Sequence, residues 1–159
     1  MYNFMLYLPH MKIQEQIQSY ITSQPERKSA DMEALHQLIV KVSPASKLSF
    51  FDGKDSNGKV VANPNIGYGS QTMTYADGAT RETFQIGISA NTTGISIYII
   101  GIKDKTYLAK TFGKKLGKAT ITGYCIKFKT LKDLNMETLQ DVLRYGFQVQ
   151  HEKKPSKAR

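Results

Sequence analysis

Residues 72–101 read TMTYADGATRETFQIGISANTTGISIYIIG, and this stretch decides the fold. Three extended runs, Thr72 to Tyr75, Thr83 to Ser89 and Ile95 to Gly101, are separated by Asp77-Gly78 and by Asn91-Thr92-Thr93-Gly94. Those separators are turn-forming residues. A parallel return needs a crossover of a dozen or more residues, so strands joined this closely must pair antiparallel.

Outward from that stretch, the period changes. On its N-terminal side Leu48 to Phe51 is a short apolar run, followed by turn signals at Asp52-Gly53 and Ser56-Asn57-Gly58, an extended Lys59-Val60-Val61, and another turn at Asn63-Pro64-Asn65. Earlier still, Ile13, Ile17, Tyr20 and Ile21 recur at helical spacing and predict a helix over 12–22. A second helix is expected from Pro25 to Val42, with Glu26 at its positive end, Met32, Leu35, Ile39 and Val42 as its apolar stripe, and Pro44 as its stop. On the C-terminal side, Thr106 to Phe112 predicts a short helix and Tyr124 to Lys129 a last strand. Asn135 caps a final helix that buries Met136, Leu139, Leu143 and Phe147. The order ααββββαβα is that of the α+β class: an antiparallel sheet of about five strands with helices packed on one face.

The 159 residues fit one domain, and 40% apolar content with nine Tyr and seven Phe argues for a packed globule. The domain is expected over 12–148, with residues 1–11 as an N-terminal extension and 149–159 as a basic, disordered tail. The opening MYNFMLYLPHM lacks a basic leading region and a small-residue cleavage site, so it does not read as an export signal, and Met5 or Met11 are alternative starts. No run approaches a membrane span. The single cysteine, Cys125, can form neither an intrachain disulfide nor a cysteine-based zinc site, which fits a reducing cytoplasm.

Charge is concentrated. Between Lys103 and Lys132 nine lysines face one acid, Asp104, so this segment holds +8 of the net +9, whereas residues 1–102 cancel to zero. A field focused on one segment raises the local concentration of anions. Within it, Gly113-Lys114-Lys115-Leu116-Gly117-Lys118-Ala119-Thr120 invites comparison with the Walker phosphate loop. The match fails: the glycines are one residue too close, Ala119 stands where Ser or Thr is required, and the surrounding order is helix then strand. Two readings stay open. Glycine amides and Lys114, Lys115 and Lys118 could form a looser anion site, or the lysines could belong to a solvated loop.

Ile66-Gly67-Tyr68-Gly69-Ser70 places an aromatic between glycines at a strand entrance. Tyr68 could face a ligand beside the lysines or pack in the core. His10, His36 and His151 have no second ligand at metal spacing; His36 reads as a helix-edge histidine with an ordinary hydrogen bond. Cys125 reads as a buried, inert thiol. Asp52 to Gly58 fails the calcium-loop pattern, since the twelfth position would be Pro64, and Asn91-Thr92-Thr93 is a glycosylation triplet without meaning in a cytosolic protein. No catalytic triad spacing is defensible, so no enzyme and no cofactor is expected.

Phe50-Phe51-Asp52-Gly53, Gly58-Lys59-Val60-Val61, Asn63-Pro64, Ile66-Gly67-Tyr68-Gly69, Ile97-Tyr98-Ile99, the stretch from Gly117-Lys118 to Gly123-Tyr124-Cys125-Ile126-Lys127-Phe128, and Leu131 together resemble the YdhG-like family of bacterial cytosolic proteins, a domain of unknown function. The likeness covers about residues 12–148 through the order and spacing of these pieces. It implies an α+β fold and no established enzymatic activity. One branch of that family has been proposed as frataxin-like iron chaperones. Iron favours oxygen ligands, whereas acids here are outnumbered 13 to 22 and the close acidic pairs are Asp52/Asp55 and Asp31/Glu33. The expectation is therefore a non-enzymatic binding or accessory domain whose 103–132 segment contacts a small anionic ligand or an acidic protein. Nucleic acid is a weaker version of the same idea, needing Tyr68, Tyr107, Phe112 or Tyr124 as exposed platforms. Iron binding through carboxylates is the alternative.

Overall fold

The computed structural model describes residues 12–149, so the expectations for 1–11 and for 150–159 lie outside the described residues. The elements run α1 (Ile13–Thr22), α2 (Glu26–Val42), β1 (Leu48–Phe51), β2 (Asn65–Tyr68), β3 (Gln71–Thr74), β4 (Thr80–Thr83), β5 (Ile86–Ala90), β6 (Ile95–Ile99), α3 (Tyr107–Leu116), β7 (Thr120–Thr122), β8 (Cys125–Phe128), a 3-10 turn (Leu131–Asp133) and α4 (Met136–Gln148). This is the α+β class, with more strands than expected. Six strands form one sheet in the order β1-β2-β5-β6-β8-β7, every neighbour antiparallel, and β3-β4 is a separate hairpin.

Three differences from the sequence reading have plain causes. The run Thr83 to Ser89 is two strands, because the chain leaves the hairpin at Phe84-Gln85 and enters the main sheet at Ile86. Lys59-Val60-Val61 forms only an isolated bridge, Lys54 with Val60, while the strand that pairs with β1 is Asn65–Tyr68. Helix α3 continues past Phe112 to Leu116, since Gly113 lies inside the helix and Gly117 ends it.

Period-two alternation separates the faces of the main sheet. Registers Ile66 with Ile88, Ile88 with Ile97 and Ile97 with Ile126 align one apolar row, and Tyr68 with Ile86 and Ile86 with Ile99 align the next. These side chains are buried with Ile17, Ile21, Met32, Leu35, Ile39, Leu139, Val142 and Leu143 of the helices. Each aliphatic side chain so buried contributes about 1.5–3 kcal/mol. Helix α4 buries Thr138, Leu139, Val142, Leu143 and Gly146, whereas Met136, expected inside, is exposed. Its start is as expected: the Asn135 side chain accepts the Thr138 N–H at 2.9 Å. Val149, placed in the tail by the sequence reading, is buried in the core.

The opposite face of the sheet carries Ser49, Gly67, Gly87, Ser96, Tyr98, Cys125 and Lys127. The Phe84 ring lies across Gly67 and Gly87, occupying the space where β-carbons would stand. That close approach explains the glycines in both strands.

Candidate functional site: a lysine groove beside an aromatic pair

The lysine segment folds into α3, the β7-β8 hairpin and the 3-10 turn, which separates its charges. Lys114 and Lys115 occupy the last turn of α3, where cations complement the helix carbonyl end. Both are exposed. Backbone amides do not converge there. Gly117, at φ +108°, bridges antiparallel to Leu134, the Lys118 N–H donates to the Asp133 carbonyl at 3.2 Å, and the Asn135 N–H donates to the Leu116 carbonyl at 2.7 Å. The anion site expected from loop amides around Gly113 and Gly117 is corrected accordingly: Gly113 is helical, and the amide after Gly117 is spent on the protein itself.

Lys118 takes a different course from Lys114 and Lys115. Released from the helix by Gly117, it lines a groove of about 510 Å³ with Thr93, Thr120, Lys127 and Lys129. Strand β8 sets Lys127 between the inward Ile126 and Phe128, and Lys129 follows directly after the strand's end. Thr120 stands opposite Lys127 on β7. The Asn91 side chain accepts the N–H and hydroxyl of Thr93, holding the β5-β6 turn at the groove's rim. Among the described residues no carboxylate lines the groove. Asp104, the segment's single acid, is engaged at the start of α3, where its carboxylate accepts the Thr106 hydroxyl at 2.7 Å and N–H at 2.9 Å. Those hydrogen bonds, with Lys110 nearby, hold it below the usual carboxylate range. The Asp133 carboxylate accepts the Thr130 hydroxyl.

Further along β8, Cys125 pairs with Tyr98 of β6, and the Tyr98 and Tyr124 rings lie 6.3 Å apart. Tyr124 is 52% exposed. Burial pushes the Cys125 thiol up from its ordinary value, against the pull of Lys127, as suits an inert thiol.

Tyr68 is elsewhere. It points into the helix layer, fully buried, with its hydroxyl 2.7 Å from His36 Nδ1. Strand β2 lies three strand spacings from β8, about 14 Å, so its ring forms no wall beside the lysines. Of the two readings of Tyr68, packing is the one realised, because the strand's register turns Ile66 and Tyr68 inward together. Burial raises the Tyr68 pKa well above the ordinary phenol value, so the hydroxyl keeps its proton in its hydrogen bond with the imidazole. Burial likewise lowers the His36 pKa, which favours the uncharged imidazole. Tyr107 and Phe112 pack with Tyr145 between α3 and α4, Tyr107 and Tyr145 stacking at 4.6 Å.

Of the expected residues, Lys118 lines this groove, together with Lys127, Lys129, Thr93 and Thr120, whereas Lys114, Lys115 and Tyr68 do not. Lys127 and Lys129 belong to the charge run, and their two-residue spacing in an extended pattern is the signal that could have grouped them. Thr93 and Tyr98 had no such signal.

Among the described residues no three His, Cys, Asp or Glu side chains gather as a metal site. Asp52 and Asp55 serve turns: Asp52 accepts the Lys54 N–H, and Asp55 accepts those of Asn57 and Lys59. Among the described residues no helix is long and apolar enough to cross a membrane. By class, the protein is an α+β domain with helices on one face of an antiparallel sheet and a cationic groove at the edge of the other. No family model, curated protein or solved structure matches the chain.

Proposed function

We propose that this protein is a non-enzymatic binding or accessory domain that takes an anionic ligand or partner in the groove of Lys118, Lys127 and Lys129. The observation that carries this reading is that three lysines line one open groove in which, among the described residues, no carboxylate stands. Like charges held together repel one another, and an incoming anion relieves that repulsion while gaining three cationic donors. The Thr120 hydroxyl adds a neutral donor at the same rim.

The test is calorimetric titration with inorganic tripolyphosphate. Lys118→Ala/Lys127→Ala/Lys129→Ala should abolish the binding heat, and Lys110→Ala/Lys114→Ala/Lys115→Ala, which removes the same three charges from α3, should leave most of it. Equal losses in the two variants would reduce the effect to net charge and sink the groove. Native mass spectrometry of gently purified protein is the companion measurement, and a retained adduct of metabolite mass would give the ligand directly.

A further inference from the structure

We infer that the anionic partner is single-stranded nucleic acid, laid along β8 with its phosphates in the lysine groove and its bases on Tyr124 and Tyr98. The inference rests on the groove proposed above and adds what lies beside it. Single strands are held where a cationic track runs next to aromatic faces, because every base presents a π-face and every linkage a charge. Here both elements lie on one sheet face and are joined by register. Lys127 stands opposite Ser96, Cys125 opposite Tyr98, and the Tyr98 and Tyr124 rings adjoin at the far end.

The dimensions suit a strand. From Cys125 to Phe128 the strand advances about 10 Å at the rise of an extended backbone, with Tyr124 and Lys129 directly beyond its two ends, room for at least one linkage. The aromatic end is also open: Tyr124 is 52% exposed, and next to it a second hollow of about 490 Å³ is lined by Met73, Thr83, Ile102, Lys103 and Tyr124. A small anion would use the lysines and leave the tyrosines idle. An acidic peptide would engage the lysines and gain nothing specific from stacking. Among the acids described nearby, Asp104 and Asp133 are turned to Thr106 and Thr130, and Glu82 of the β3-β4 hairpin accepts the Thr72 hydroxyl.

Fluorescence anisotropy on the full chain, with labelled oligothymidylate and oligouridylate, tests this against two base-free anions, polyphosphate and polyglutamate. The expected result is binding of at least one oligonucleotide with a slope of log affinity against log salt near −2, as three lysines on a single strand require. Tyr124→Ala should weaken it about tenfold or more while Tyr124→Phe retains it, and neither should alter polyphosphate binding. The preference between the two oligonucleotides reports whether the sugar hydroxyl is read. If polyphosphate or polyglutamate binds through the three lysines but Tyr124→Ala leaves the oligonucleotides unaffected, this inference fails and the groove stands. If no anion binds in a manner that depends on Lys118, Lys127 and Lys129, both fail.

Discussion

Gly113 and Gly117 flank the same pair of lysines, yet alanine should act on them in opposite directions. Gly117 ends α3 at φ +108° and ψ −149°, a region open in practice to glycine alone, and a β-carbon there would overlap the Asp133 carbonyl oxygen. Backbone strain of this kind costs about 1–3 kcal/mol. The overlapped atom is main chain that accepts the Lys118 N–H, so relieving the clash loosens that bond and the Gly117 bridge to Leu134. A loss of about 3 kcal/mol is expected, and in a domain of this size each kcal/mol lowers Tm by about 2–4 °C, giving a fall of about 6–12 °C. Gly113 lies inside α3 with nothing within 4 Å of a β-carbon. Glycine in a helix interior costs about 0.5–1 kcal/mol relative to alanine, so Gly113→Ala should raise Tm by about 1–4 °C. Thermal unfolding followed by far-ultraviolet circular dichroism reads both. Gly117→Ala melting within about a degree of the parent, or both variants moving the same way, would refute this account of how Lys118 is released from the helix.

The buried pair offers the next test: Tyr68→Phe removes a hydroxyl 2.7 Å from His36 Nδ1, and stability in urea should fall by about 1–2 kcal/mol; an unmoved midpoint would show the bond to be inconsequential. Burial lowers the folded His36 pKa, so the stability due to its neutral form is complete above about pH 6.5 and lost as pH falls through the depressed folded value. His36→Gln should flatten urea stability over that acidic range, and an unaltered pH profile would contradict it. Cys125, buried with its thiol pushed up, should react slowly with an aromatic disulfide reagent at neutral pH and rapidly in denaturant; rapid reaction of the native protein would place it on an accessible edge.

Local pattern carried a good part of this fold. Helical spacing of Ile13, Ile17, Tyr20 and Ile21, and the Asn135 cap, placed α1 and α4 because a helix is made from contacts within a few residues. Short connectors determined antiparallel pairing for the same reason. The sequence pattern runs through Phe84-Gln85 as extended, since a break where a chain passes from one sheet to another leaves no mark in an alternating run. The site divides along the same line. By itself the sequence determined that positive charge gathers in one segment and that an extended run near Tyr124 to Lys129 closes it. Tertiary structure decided that Lys118 joins Lys127 and Lys129 while Lys114 and Lys115 do not, that Thr93 reaches the same rim, and that Tyr68 turns inward while Tyr98 and Tyr124 remain beside the lysines. Composition and periodicity act along the chain, whereas a groove is built from residues brought together by strand register and by the turn at Gly117, and those depend on partners distant in sequence.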